Sequence, residues 1–142
     1  MSLVSDRYTP HFTLSTRLVS ELGHARSTLR ATTDCDGPAV LVHAGGEIDA
    51  HNEDTWRQLV SEAAAVATPP GPFIVDVTDV DFMGCCAFAV LADESEWCRR
   101  RGVELRLVSR QPIVARVVKA CGLTGLLPTY PSVESALAAP AA

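Results

Sequence analysis

The feature that most constrains this chain is a short apolar run interrupted only by Asp76, Phe73-Ile74-Val75-Asp76-Val77, set directly after the breaker Pro69-Pro70-Gly71-Pro72. The prolines forbid a helix from continuing into the run, and its near-continuous hydrophobicity suits a short strand buried on both faces. Just beyond it the period changes: Ala87, Val90, Leu91, Glu94, Trp97 and Cys98 recur at helical spacing, with Gly102 as the stop. A strand buried on both faces and followed at once by a helix belongs in a layered α/β fold.

The flanking segments extend the same alternation. Residues 27–33 favour a strand, Asp34-Cys35-Asp36-Gly37 a turn, and residues 39–44 a second strand, making a hairpin. Trp56, Leu59, Val60, Ala63 and Ala67 mark a helix that Asp49 or Asn52 can cap. After the second helix, residues 103–108 alternate with period two. A helix then carries Ile113, Val114, Val117, Val118 and Cys121 on its inner face, Leu126-Leu127 starts a short strand, and Pro131-Ser132 opens a last helix. The predicted order is ββαβαβαβα, a mainly parallel or mixed sheet with right-handed crossovers. Residues 1–26, broken by Pro10 and carrying only the weak stripe Leu14, Leu18 and Leu22, read as an N-terminal arm or one short helix. Residues 27–138 form the domain, and 139–142 are an Ala-rich tail.

With 142 residues, 47% of them hydrophobic, the chain can bury a core as a single domain without disulfides or metals. The formal net charge of -5 gives no overall attraction to phosphate backbones, which argues against nucleic acid as a direct partner. The one basic cluster, Arg99-Arg100-Arg101, ends a predicted helix and reads as a solvated terminus. No stretch has the roughly 20 apolar residues of a membrane span and no leader pattern is present, so the expected location is the cytoplasm, without a membrane partner. Five cysteines without CxxC or Cys/His zinc spacing imply neither a disulfide framework nor a metal site.

Enzyme chemistry finds little support. Gly45-Gly46-Glu47-Ile48-Asp49 lacks both phosphate-loop and dinucleotide-loop spacing and reads as a tight strand-to-helix turn, so no cofactor is expected. Asp76, Asp79 and Asp81 lack calcium-loop spacing and suit turn and cap roles. His11, His24, His43 and His51 match no thiol-enzyme signature around Cys85 or Cys86. Trp56 and Trp97, on apolar helix faces, read as core. No catalytic residue is assigned.

The distinctive stretch is Val80-Asp81-Phe82-Met83-Gly84-Cys85-Cys86-Ala87-Phe88, where a strand hands over to a helix. It resembles the signature of STAS-domain anti-sigma factor antagonists, in which an apolar pair precedes Asp-Ser-Ser/Thr-Gly-Leu. Gly46-Glu47-Ile48-Asp49, the strand at residues 73–77 and the glycine-containing segment 114–127 fit the same family in order and spacing. The Gly84-Cys85-Cys86 variant resembles the mycobacterial antagonists of the sigma-F pathway. The resemblance implies a small mixed sheet of four or five strands with helices mainly on one face. It implies as partner an anti-sigma factor with a serine-kinase-type ATPase fold, bound through Glu47, Asp49, His51, Asn52, Asp81, Phe82, Met83, Gly84, Cys85, Cys86 and Phe88. Phe88 stands where the family usually has Leu, as an exposed anchor or as core.

In the family the serine after the aspartate accepts the regulatory phosphate, and that position is Cys85 here. Gly84, Cys86 and Ala87 replace the neighbouring family residues, so no hydroxyl remains for a serine kinase. Two mechanisms follow. Either the antagonist is constitutive, its cysteines filling an apolar niche, or oxidation replaces phosphorylation at Cys85, which lies at a predicted helix N-terminus. Adjacent Cys85 and Cys86 would form a strained ring, so Cys121 is the first candidate disulfide partner. Regular βα geometry instead brings Cys121 nearer Cys98, unless the third helix is short or steeply crossing. The alternative function is a STAS module sensing a small ligand or nucleotide.

Overall fold

The computed structural model describes residues 14–140. The expectations for residues 1–13 of the arm and 141–142 of the tail lie outside the described residues. In chain order the elements are α1 (Thr16–Leu22), β1 (Leu29–Asp36), β2 (Ala39–Ile48), α2 (Glu53–Val66), β3 (Phe73–Met83), α3 (Cys85–Arg100), β4 (Leu105–Val108), α4 (Pro112–Ala120), β5 (Thr129–Tyr130) and α5 (Val133–Ala138). The five strands lie in one sheet in the order β1-β2-β3-β4-β5. The β1–β2 hairpin is antiparallel and every other pairing is parallel, so the sheet is mixed and β3 is its centre.

Strand periodicity splits the sheet into two faces. Val40, Val42 and Ala44 of β2, Phe73, Val75 and Val77 of β3, and Leu105 and Leu107 of β4 belong to the main core with Leu18, Trp56, Leu59, Phe88, Leu91 and Val114 from α1–α4. The alternate residues Ala39, Leu41, Ile74 and Val108 meet Ala136 of α5 on the other face. Four of the five described helices therefore cover one face. Helix α1 is docked on α2: the Ser15 amide donates to Glu62 Oε1 (2.7 Å), Thr55 Oγ1 donates to Glu21 Oε2 (3.0 Å), and Leu18 is fully buried.

Several local expectations are corrected. The hairpin turn is Gly37-Pro38, not residues 34–37, because Asp34, Cys35 and Asp36 still pair with β2 and keep the period-two alternation. Gly45 and Gly46 lie within β2 at a register shift and do not form a strand-to-helix turn. Strand β3 runs to Met83, so Asp76, Asp79 and Asp81 are strand residues. Asp76 Oδ1 accepts from the Thr78 amide and Oδ2 lies 3.2 Å from His43 Nδ1. The last strand is Thr129–Tyr130, since Leu127 turns into the core and Pro128 and Tyr130 supply the carbonyls that satisfy Leu107 and Ser109.

Two aromatic and basic assignments also change. Trp97 is 42% exposed rather than core, with the Arg101 guanidinium 4.6 Å from its ring. The basic cluster is not simply solvated: Arg101 donates to Ala64 O (2.8 Å) and Ala67 O (2.7 Å) at the end of α2, while Arg99 donates to Gly125 O (2.6 Å). Arg101 thus adds donors to the carbonyls at the C-terminal end of α2.

Candidate functional site

The predicted partner-binding residues converge at the end of the sheet where β2 and β3 finish. Parallel pairing sets Glu47 beside Phe82 and Ile48 beside Met83, and the Gly84 amide donates to Ile48 O (2.9 Å). Two loops far apart in sequence are thereby locked side by side. Gly46 makes this possible: its φ is +91°, and a Cβ there would lie 1.9 Å from the Thr28 carbonyl oxygen. Only glycine accepts both the left-handed backbone and that approach.

Asn52 organises the loop of residues 47–52. Its Nδ2 donates to Glu47 O (2.8 Å) and Thr28 Oγ1 (3.1 Å), and its Oδ1 accepts from the Asp49 amide (2.9 Å). It occupies the N-cap position of α2 without capping through its side chain. Asp49 does not cap the helix either; its Oδ1 accepts from the His51 amide (2.9 Å). Helix α2 instead begins with Glu53 and Asp54, whose charges favour a helix N-terminus.

Glu47, His51, Asp81, Phe82 and Cys85 are exposed on this end, with Asp49, Asn52, Met83, Gly84 and Cys86 half-buried. Phe88 is only 2% exposed and is packed in the core rather than standing out as an exposed anchor; Phe82, 55% exposed, is the aromatic that faces outward. The physical reason is phase. Phe88 shares the inward side of α3 with Ala87 and Leu91, whereas Phe82 stands on β3 beyond the cover of the helices. Trp56 Nε1 donates to Ala87 O (3.2 Å), tying α2 to the first turn of α3.

Beside this surface lies an apolar groove of about 180 Å³, lined among others by Val80, Phe82, Met83, Phe88, Ile113 and Val114. Gln111 Nε2 donates to Thr78 O (3.3 Å) and Val80 O (3.0 Å), pinning the start of α4 against β3. Sequence reading placed Ile113 on the inner face of α4. It is 54% exposed, and only Val114 and Val118 are buried on that helix. The contribution of α4 to this end was therefore missed; Pro112 and Ile113 opening a helix were its only sequence signal.

Cys85 and Cys121 are both exposed and are not bonded to each other. Cys85 opens α3, but the chain after Cys121 packs along the far half of that helix, where Ser95 Oγ donates to Leu126 O and Arg99 to Gly125 O. Ten or more residues of helix, about 15 Å, separate that region from Cys85, against the about 7 Å between Cα atoms that a disulfide allows. Cys121 is also exposed, not inward-facing. Cys98 is fully buried, and its thiol pKa is pushed up to about 11 by that burial and the nearby Glu94 charge, with Arg101 opposing. Among the described residues no histidine is hydrogen-bonded to Cys85 or Cys86: His43 faces Asp76, His51 Nδ1 lies 3.7 Å from Asp49 Oδ1, and His24 Nδ1 accepts from the Arg26 amide. No described helix is long and apolar enough to cross a membrane.

Comparison with known proteins agrees with this geometry. The STAS domain model matches residues 30–136. Rv2638 of Mycobacterium tuberculosis, named as an anti-anti-sigma factor, is 66% identical over 131 residues, covering 92% of this chain and 88% of its own. Anti-sigma-F factor antagonist RsfA of the same species is 56% identical over 113 residues, covering 80% and 88%. A crystal structure of an anti-sigma factor antagonist from Mycobacterium paratuberculosis superposes with a TM-score of 0.69 at 25% identity, covering 80% of this chain and 94% of that one.

Proposed function

This chain belongs to the STAS domain family, and from that premise we propose that it is a non-enzymatic anti-sigma factor antagonist, which binds an anti-sigma factor in the cytoplasm and so releases a sigma factor. The observation that carries the reading is the pairing of Glu47 with Phe82, which presents residues 47–52 and 81–86 as one outward surface. A relative named as an anti-anti-sigma factor at 66% identity and one named as an anti-sigma-F factor antagonist at 56% support it. The partner has a serine-kinase-type ATPase fold. Exposed Phe82 supplies contact area at low entropic cost, and the surrounding carboxylates set association rate and partner choice.

Control by serine phosphorylation is absent, because Gly84-Cys85-Cys86-Ala87 offers no hydroxyl. Redox state reaches the site through the exposed Cys85: its sulfur takes one oxygen from hydrogen peroxide, water leaves, and the sulfenic acid alters the polarity of the first turn of α3.

Calorimetric titration with the purified anti-sigma-F factor of M. tuberculosis tests the reading. Wild type binds, and Glu47→Lys and Phe82→Asp each weaken binding at least tenfold while melting normally. Peroxide weakens wild type but not Cys85→Ser, and incubation with the factor and ATP leaves the mass of the chain unchanged. Normal binding by both surface variants would place the contact elsewhere. A mass gain of one phosphate would overturn the absence of kinase control, and equal loss in Cys85→Ser would remove the redox role.

A further inference from the structure

We infer that the groove between the end of β3 and the start of α4 seats one apolar side chain from a segment of the protein partner, with arginine or lysine flanking that anchor on the β2–β3 side. This rests on the antagonist reading for the identity of the partner, but not for the chemistry of the groove.

The groove is built as a receptacle. Its floor is core: Val80, Phe88 and Val114 are 4%, 2% and 6% exposed. Its two lips are large apolar residues left open to solvent, Phe82 at 55% and Ile113 at 54%. At about 180 Å³ it falls below the roughly 300 Å³ at which pockets for cofactors and drug-sized ligands begin. A single aliphatic or aromatic side chain matches that scale.

Charge specifies what surrounds the anchor. Asp81 lines the groove, and Glu47 stands on the neighbouring rung opposite Phe82, with Asp79 two residues earlier on β3. All three carboxylates are exposed, and none forms an ion pair or hydrogen bond among the described residues. The neighbouring cation Arg30 lies beside Asp79 and Asp81 and offsets part of this charge, but one cation against three carboxylates leaves the edge net negative. Its guanidinium lies against Gly45 and Gly46, with nitrogens 3.2 and 3.4 Å from where their Cβ atoms would sit, and it makes no ion pair with Asp79. On the α4 side the exposed charges are all cationic, Arg110, Arg116 and Lys119. The negative lip is therefore the one formed by β2 and β3, and cations of an incoming segment lie there. Such rim charges act mainly on association rate and its salt dependence, while the seated side chain holds the complex together.

The test measures binding of the full chain to the anti-sigma-F factor of M. tuberculosis at low and moderate salt. Phe82→Ala and Ile113→Ser should each weaken binding tenfold or more with unchanged melting temperature. The triple variant Glu47→Gln, Asp79→Asn, Asp81→Asn should slow association and flatten its salt dependence. Val19→Ser, an exposed apolar position on α1, should bind as wild type does. Full affinity in both groove variants overturns the inference even if wild type binds. Should wild type fail to bind this factor, the antagonist reading falls, and a synthetic peptide with one leucine flanked by arginines then decides the groove. It should shift the amide resonances of residues 80–83 and 111–114, and its glutamate-flanked counterpart should not. No shift there, or the same shift from both peptides, overturns the inference.

Discussion

Phe82 and Phe88 lie six positions apart and have opposite fates. Phe88 is packed in the main core beneath the groove, whereas Phe82 is more than half exposed. Replacing Phe88 with Ala should cost about 3 kcal/mol or more, the range for deleting a buried aromatic. The same change at Phe82 should stay within about 0.5 kcal/mol, as for ordinary surface positions; urea titration of both variants checks the contrast. Cys98 makes a second prediction at this scale. With its folded pKa raised from the ordinary thiol value of 9.0 to about 11 by burial and the nearby Glu94 charge, the thiol is largely neutral in both states below about pH 9. As pH rises from 9 towards 11, the unfolded chain ionises it while the folded chain does not. The unfolded state then binds fewer protons, so stability falls with rising pH. Melting curves across that window should show the decline, and Cys98→Ala should reduce its slope relative to wild type.

At the scale of elements, two helices end on arginines brought from elsewhere in the chain. Arg101 serves α2, and Arg106, only 3% exposed on β4, serves α5. The Arg106 guanidinium donates to Ala136 O, to Ala139 O (3.0 Å) and to Pro140 O (3.1 Å), and its Nε lies 2.7 Å from Glu104 Oε1. Helix α5 has only six residues and cannot hold itself together by propagation alone. Arg106→Met keeps much of the apolar stem but strands those carbonyls and Glu104. It should cost about 2–3 kcal/mol. Hydrogen exchange should show faster opening of α5, with the protection of α2 and α3 largely retained; equal loss of protection in α2 would contradict this assignment.

For the whole molecule, the direction of the chain through the sheet decides what can meet. Every βα unit carries the chain from one end of the sheet to the other and back. The start of α3 thus gathers with the loop after β2, while the exit of α4 lies with the last turns of α3. Mild oxidation followed by peptide mapping should find no bond between Cys85 and Cys121 within a monomer. Detection of that bond in folded monomer would require the helices to be arranged otherwise. The same directionality brings Ile113 next to Phe82, although thirty-one positions separate them.

Much of this was legible in the chain itself. The breaker Pro69-Pro70-Gly71-Pro72, the apolar run starting at Phe73 and the helical stripe of α3 specified a strand and its crossover helix, because local sterics and burial period act over a few residues. The residues from Asp81 to Cys86 marked the handover that carries the family resemblance. What the sequence left undecided depended on neighbours distant along the chain. A polar strand edge such as Asp34-Cys35-Asp36 reads as a turn until β2 is seen to pair with it. An amphipathic helix shows its stripe but not how much of the stripe a neighbour covers, so Ile113 and Trp97 read as core. Asn52 looked like a cap until the Thr28 hydroxyl and Glu47 carbonyl claimed its side chain. Propensity and periodicity are properties of the local chain, and they determined the elements and their order. Exposure and mutual approach are properties of surfaces packed together, and only the tertiary structure decided that Phe82 faces outward, that Phe88 does not, and that Cys121 is exposed rather than turned inward.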